Sequence, residues 1–347
     1  MLHVFSRLCC QTAHVGRNWA SISYSMQRNL SAEVQSNRSL AQVNGKEASA
    51  FLQGLVTNDM NHLLEGATSM YSMMLNTQGR VVFDTIIYKR HEESYLVECD
   101  REKLDHLVRH LKMYKVRRKI DIKPLEDFSV WAVFEPELDM DSITQVDVES
   151  LYLNPKAESE VLLHLKDTVS DVIVTRDPRM KYLGHRLVVP DKSHITDIVS
   201  DVELGKEIFK FLRYKLGVGE GLQELPPTKC LPLEANLDYL HGVSFHKGCY
   251  IGQELTARTF HTGVVRKTLS CPPISLVELS TLAYDTNIIN EKGKSVGKVR
   301  GIEGQYGIGL LRVKECLAAE TLKANDMVVK TFRPPWWPIE ASKEKMN

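Results

Sequence analysis

Lys247-Gly248-Cys249-Tyr250-Ile251-Gly252-Gln253-Glu254 packs a thiol, two glycines, a cation and a carboxylate into eight residues of a 347-residue chain. Glycine opens backbone angles closed to other residues and lets a ligand or another segment approach closely. Gly248 and Gly252 bracket Cys249, so the stretch reads as a shaped loop rather than a helix or strand interior. Gln253 to Arg258 suits a short helix, which places Cys249 just ahead of a helix N-terminus. The helix dipole, His246 and Lys247 are all expected to favour thiolate there, and thiolate is the nucleophilic and metal-binding form. A plainer reading stands beside this one: a cysteine between glycine and tyrosine also serves as a small buried residue in a tight turn. A zinc site is weaker still. His241, His246 and Cys249 are close, but no second member completes a C-x-x-C or H-x3-H spacing.

The composition bounds what this loop can belong to. Apolar residues make up 43% and charged residues 25%, the proportions of a globular protein with a sizeable core. Lys+Arg and Asp+Glu are both 44, so nothing points to nucleic acid. No apolar run approaches the roughly 18 residues of a membrane-spanning helix, so no membrane insertion is expected. The seven cysteines are odd in number and irregular in spacing, which argues for reduced thiols.

The first residues differ from the rest. Met1 to Ala32 contains no acid, while Arg7, Arg17 and Arg28 and several hydroxyl residues supply the composition of a mitochondrial transit peptide. Residues 1–30 are assigned to it, with processing expected after Leu30.

Along the remaining chain, Ser39–Val43 reads as a strand and Lys46–Gln53 as a helix ended by Gly54, followed by the loop Thr57-Asn58-Asp59. Tyr71–Leu75 and Val81–Lys89 form a hairpin about Asn76–Arg80, with Asp84 set among apolar residues. Tyr95–Cys99 is a strand, and Asp100 caps a helix running to about Tyr114. The cations that follow, Lys112, Lys115, Arg117, Arg118 and Lys119, form a solvated face or a cradle for an acidic tail or partner. Phe128–Phe134 and His185–Val189 are strands, and Glu160–Leu165 and Asp171–Val174 also suit strands. Arg179 and Arg186 can grip a carboxylate bidentately or form a structural ion pair. Leu204, Ile208, Phe211, Leu212 and Leu216 predict one amphipathic helix over Val202–Leu216, closed by Gly217. From Val264 the pattern turns to short strands, a small β-barrel. The tail Pro334-Pro335-Trp336-Trp337-Pro338 packs on that barrel or on a partner.

The run Val243 to Glu254 resembles the K-G-C-Y-x-G-Q-E signature of YgfZ-type proteins, relatives of the glycine-cleavage aminomethyltransferase whose eukaryotic mitochondrial branch assembles iron–sulfur clusters. Phe51–Asp59 is similar to the family's L-Q-G-x-x-T-x-D element, and Asp177-Pro178-Arg179 with Leu183-Gly184-His185-Arg186 to another. The resemblance implies an α+β, three-lobed aminomethyltransferase-like fold with antiparallel sheets, a central folate-type cavity and a C-terminal small β-barrel. The divisions are 31–264, a folate-binding region of two interleaved lobes, and 265–347, barrel and tail. It implies tetrahydrofolate near Asp84, Arg179, Glu234, Tyr250, Gln253 and Glu254. Cys249 becomes the functional thiol, Lys247 the group that lowers its pKa, and Tyr250, Gln253 and Glu254 the shapers of the loop. No stable metal site is implied, only a transient cluster bridged to a partner, because one thiolate cannot hold a cluster alone. The implied role is a monomeric matrix factor acting late in [4Fe–4S] maturation with A-type carriers and client enzymes, assembling rather than catalysing. The alternative is a folate-dependent one-carbon transferase. Against it, this chain has Gly79-Arg80 and Phe83-Asp84 where aminomethyltransferases carry two glycines and paired aspartates.

Overall fold

The computed structural model describes residues 30–140, 143, 163–166, 170–205, 207–262, 268–270 and 282–337. The assigned transit peptide up to residue 29, residues 144–162, which include the first half of the expected strand Glu160–Leu165, and Cys9, Cys10 and Cys271 lie outside the described residues.

Strands in chain order are β1 (Leu30–Val34), β2 (Arg38–Asn44), β3 (Ser69–Leu75), β4 (Val81–His91), β5 (Ser94–Asp100), β6 (Asp121–Leu125), β7 (Phe128–Phe134), β8 (Ile173–Arg176), β9 (His185–Pro190) and β10 (Val202–Leu204). The C-terminal part adds β11 (Thr268–Ser270), β12 (Asn287–Asn290), β13 (Ser295–Glu303), β14 (Tyr306–Leu311), β15 (Leu322–Ala324) and β16 (Met327–Val329). The first sheet has the order β3-β4-β5-β2-β6 and the second β10-β1-β7-β9-β8. The chain thus enters through the second sheet, builds the first, and returns. The third sheet, β11-β14-β13-β12-β15-β16, is antiparallel throughout and carries its own core of Ile288, Val296, Val299 and Leu311.

Side chains alternate across a strand, so a sheet covered on both faces reads as nearly continuous apolar sequence. In β5, Leu96 joins the central core, whereas Tyr95 and Val97 join the core under the helices Ala48–Gln53 and Leu104–Lys115. In β4, Ile86 and Tyr88 face the centre and Ile87 the other side. The central core also takes Val130, Ala132 and Phe134 of β7 and residues of the helix Phe209–Leu216, so it joins the two sheets.

Two expectations are revised. The single helix over 202–216 is a strand and a shorter helix. Val202–Leu204 pairs in parallel with β1, and the helix runs only from Phe209 to Leu216. Positive φ angles at Asp201 (57°) and Glu207 (63°) break the helical path, and Gly205 closes onto β1 through its N–H to the Ala32 carbonyl (2.7 Å). Glu33 caps the shorter helix from another segment, accepting from Ile208 N (2.6 Å) and Phe209 N (3.0 Å). The tail is not confined to the barrel: Trp336 lies in the central core and its Nε1 donates to the Leu216 carbonyl at 2.6 Å. Trp336→Ala is therefore expected to cost about 3–5 kcal/mol in urea denaturation, the usual penalty for a large cavity in a well-packed core. A change under about 1 kcal/mol would mean that the tail is an appendage.

Candidate functional site

The Cys249 loop is docked on a turn that lies about 190 residues earlier in the chain. Ser244 N donates to the Thr57 carbonyl (3.1 Å), Ile251 N to the Gly54 carbonyl (3.2 Å), and Thr57 Oγ1 to the Gly242 carbonyl (2.6 Å). Asn58 Nδ2 reaches both Tyr71 O and His241 O at 2.8 Å. Lys247 completes the joint. Its Nζ donates to the carbonyls of Gln53 (2.8 Å), Val56 (2.7 Å) and Asn58 (2.7 Å). An ammonium has three donors, and here all three are spent on main-chain oxygens. The cation expected beside the Cys249 thiol is directed instead to the 53–58 turn, where it acts as a tether. Burial draws its pKa down to about 8, with Asp59 opposing.

Tyr250 and Gln253 hold the loop from within. Tyr250 N donates to Gln253 Oε1 (2.9 Å), and the Lys247 ammonium sits 5.1 Å from the Tyr250 ring centroid. The helix Gln253–Thr262 begins four residues after Cys249, and Glu254 is exposed on its first turn. The two glycines differ in role. A Cβ at Gly248 would meet nothing within 4 Å. Gly252 has φ +80°, and a Cβ there would lie 2.3 Å from the Asn76 carbonyl. Gly79, on the β3–β4 hairpin, is also confined, since with φ +74° its Cβ would lie 3.0 Å from the Gly252 carbonyl. The hairpin and the loop thus meet glycine to glycine.

Cys249 itself is exposed, whereas Cys99, Cys230 and Cys316 are buried. Burial pushes each of these three thiols up to about 12. The buried-turn reading of Cys249 is thereby set aside. No three His, Cys, Asp or Glu side chains gather as a metal site among the described residues, and His241 is half-buried, its pKa lowered by burial to about 4.

The residues assigned to folate fall in three places, of which Tyr250, Gln253 and Glu254 on the cysteine loop are the first. Asp84 and Arg179 belong to a buried ion network between the two large sheets. Asp84 Oδ2 accepts from Arg38 Nη1 (3.0 Å) and Gly221 N (3.2 Å). Arg179 gives Nε and Nη2 to Asp177 (2.8 and 2.6 Å) and Nη1 to Glu220 (2.7 Å). Glu98 joins the sheets, accepting from Arg38 Nε (2.7 Å) and Arg186 Nη2 (2.5 Å), while Tyr88 donates to its other oxygen (2.5 Å). Glu234 stands elsewhere, lining a cleft against the barrel. Arg179 and Asp84 are thus engaged by the chain itself and do not converge with Glu234 on one space. As arranged, Asp84, Arg179 and Glu234 do not fit one tetrahydrofolate.

Comparison with known proteins follows the same lines. The GCVT N-terminal domain matches residues 33–136, and the CAF17 C-terminal beta-barrel domain matches residues 273–339. The mitochondrial iron–sulfur cluster assembly factor IBA57 of Mus musculus is 37% identical over 325 residues, covering 88% of this chain and 84% of that protein. The chain belongs to the IBA57 family of iron–sulfur cluster assembly factors. The Homo sapiens IBA57 is 34% identical, covering 87% of this chain and 83% of its own length. Both relatives are named mitochondrial, and this member of the IBA57 family is placed in the mitochondrion with them. The glycine cleavage system aminomethyltransferase T of Bartonella henselae aligns with a TM-score of 0.67, covering 90% of this chain and 88% of that one. At 16% identity this likeness concerns the fold alone: an aminomethyltransferase-like architecture of antiparallel sheets and helices with a C-terminal barrel sheet.

Sequence reasoning did not assign Thr57 and Asn58 a role in supporting the loop of this IBA57-family protein. Their signal was the separate likeness of 51–59 to a family element, and the structure joins that element to the cysteine loop. Lys247→Met keeps the alkyl stem but strands three carbonyls. It is expected to weaken the joint by about 3 kcal/mol, which amounts to about a hundredfold faster amide exchange across 243–252. Unchanged protection there would show that Lys247 is not the tether.

Proposed function

We propose that the chain acts in the mitochondrial matrix, late in the maturation of [4Fe–4S] proteins, as a monomeric assembly factor rather than an enzyme, and that Cys249 is its working thiol. The observation that carries this reading is the exposure of Cys249 on a loop tied down at both ends, while the other described cysteines are buried. Its relatives' name, iron–sulfur cluster assembly factor, supplies the cargo. Thiolates suit iron. A single thiolate cannot hold a cluster, so the remaining ligands come from a partner, for which an A-type carrier and then a client enzyme are the fitting classes.

The step is a ligand substitution without net redox change. Cys249 loses its proton to solvent, its sulfur forms a bond to a cluster iron, and one ligand supplied by the partner leaves that iron. The loop's role is positional: a tethered thiol loses less freedom on binding than one on a free strand of chain. The test is depletion of the protein in cells. Aconitase, a [4Fe–4S] enzyme, is expected to lose activity, while a [2Fe–2S] ferredoxin keeps its cluster. Equal loss in both would place the protein earlier in the pathway. Unchanged aconitase would remove the reading.

A further inference from the structure

The 76–80 hairpin that touches the cysteine loop through Gly79 has another neighbour through Arg80. There a cleft of about 630 Å³ opens between the hairpin, the segment around Lys229–Glu234 and the barrel strands β13 and β14. Its volume is in the range of a ligand site. Five cationic side chains line it, Arg80, Lys229, Lys298, Arg300 and Arg312, against two carboxylates, Glu234 and Asp285.

The carboxylates neutralise the cleft only in part, leaving Arg80 and Lys229 as its excess charge. Asp285 is gripped by Lys298 and Arg300, each at 2.5 Å, and Arg312 pairs with Glu315 at 3.5 Å. Among the described residues no carboxylate lies within 4 Å of Arg80 or Lys229. Arg80 Nη1 instead donates to the main-chain carbonyl of Lys229 (3.1 Å). Like charges lining one concave site raise the local potential and recruit anions. The hold of Lys298 and Arg300 on Asp285 shows that the cations here are spaced for carboxylate oxygens.

We propose that this cleft receives a run of acidic side chains from the protein partner that meets Cys249. The partner's position rests on the functional reading above; the acidic chemistry rests on the cleft alone. Because hairpin and loop meet at Gly79 and Gly252, a partner seated on the loop has the cleft beside it. The cleft then sets partner choice and encounter rate by charge, and the thiol takes the cluster.

The test uses the full chain and fluorescein-labelled hexaglutamate, followed by fluorescence anisotropy. Saturable binding is expected, weakening steeply as NaCl is raised. Lys229 is exposed, so Lys229→Glu leaves the fold intact and is expected to weaken binding about tenfold, with Arg80→Gln weakening it less. Lys112→Glu, on the separate basic end of the helix Leu104–Lys115, is expected to change nothing. Cys249→Ser is also expected to bind as wild type, which keeps failure of the thiol reading distinct from failure of this one. Absence of saturable binding would overturn the proposal, as would loss on Lys112→Glu but not on Lys229→Glu. Binding of inorganic pyrophosphate without binding of hexaglutamate would make the cleft a phosphate site and would also overturn it.

Discussion

Cys249→Ser is expected to fold with wild-type stability and to restore none of the aconitase activity lost on depletion. The first half follows from exposure: the side chain is in solvent, and an exposed substitution away from special backbone geometry stays within about 0.5 kcal/mol. The loop is positioned without the sulfur, through the Lys247 tether and the contact of Gly252 with the hairpin. The second half follows from ligand chemistry, because a neutral hydroxyl is a poor ligand for iron where a thiolate is a good one. Thermal unfolding of the purified variant and aconitase activity in complemented cells check the two halves separately. Rescue by the serine protein would reduce Cys249 to a surface residue.

Glu98→Gln is expected to cost about 3–5 kcal/mol, because it leaves the guanidinium groups of Arg38 and Arg186 without their shared carboxylate in the middle of the molecule. Both arginines and Glu98 are essentially inaccessible, so water cannot compensate. Their pairing spans β2 and β5 of one sheet and β9 of the other, so its loss is expected to separate the two large sheets cooperatively. The same network sets the acid limit. Burial alone would push the carboxyls up, but Arg186 and Arg38 hold Glu98 below the usual range, and Arg186, Arg179 and Arg213 hold Glu220 well below it. A carboxyl whose folded pKa is depressed stabilises the fold fully above its unfolded value of about 4.3, and loses that contribution as pH falls through the folded value. Urea midpoints are therefore expected to fall in two stages, first below about pH 6.5, where the unfolded chain takes up protons that the buried His185 and His241 do not, and further below about pH 4 as these carboxyls are protonated. A decline already complete by pH 5 would mean that these carboxyls are not held in the charged form. A Glu98→Gln change below about 1 kcal/mol would mean that the arginines find other partners.

What could be read from the chain divides by range of interaction. Local patterns came through: the strand over Phe128–Phe134, the hairpin about Asn76–Arg80, the Asp100 cap, which accepts from Glu102 N at 3.0 Å, and the Gly217 stop at φ +77°. The helix over 202–216 failed because apolar spacing cannot register a parallel partner strand some 170 residues away. Lys247 was placed beside Cys249 because sequence shows neighbours, whereas its actual partners are main-chain oxygens, which leave no mark in side-chain chemistry. The pairing of Arg179 and Arg186 with acids was one of two readings on the sequence, and only the fold supplied Glu98 and Glu220 as their partners. Exposure of Cys249 likewise had no sequence signal, although its position ahead of a helix did.

The most direct measurement is visible absorption and circular dichroism of a cluster-loaded A-type carrier titrated with this protein, wild type against Cys249→Ser. A thiolate ligand contributed by Cys249 is expected to change the cluster's charge-transfer bands at one equivalent with the wild type and to leave them unchanged with the serine variant. Identical spectral changes with both proteins would contradict a working thiol at Cys249.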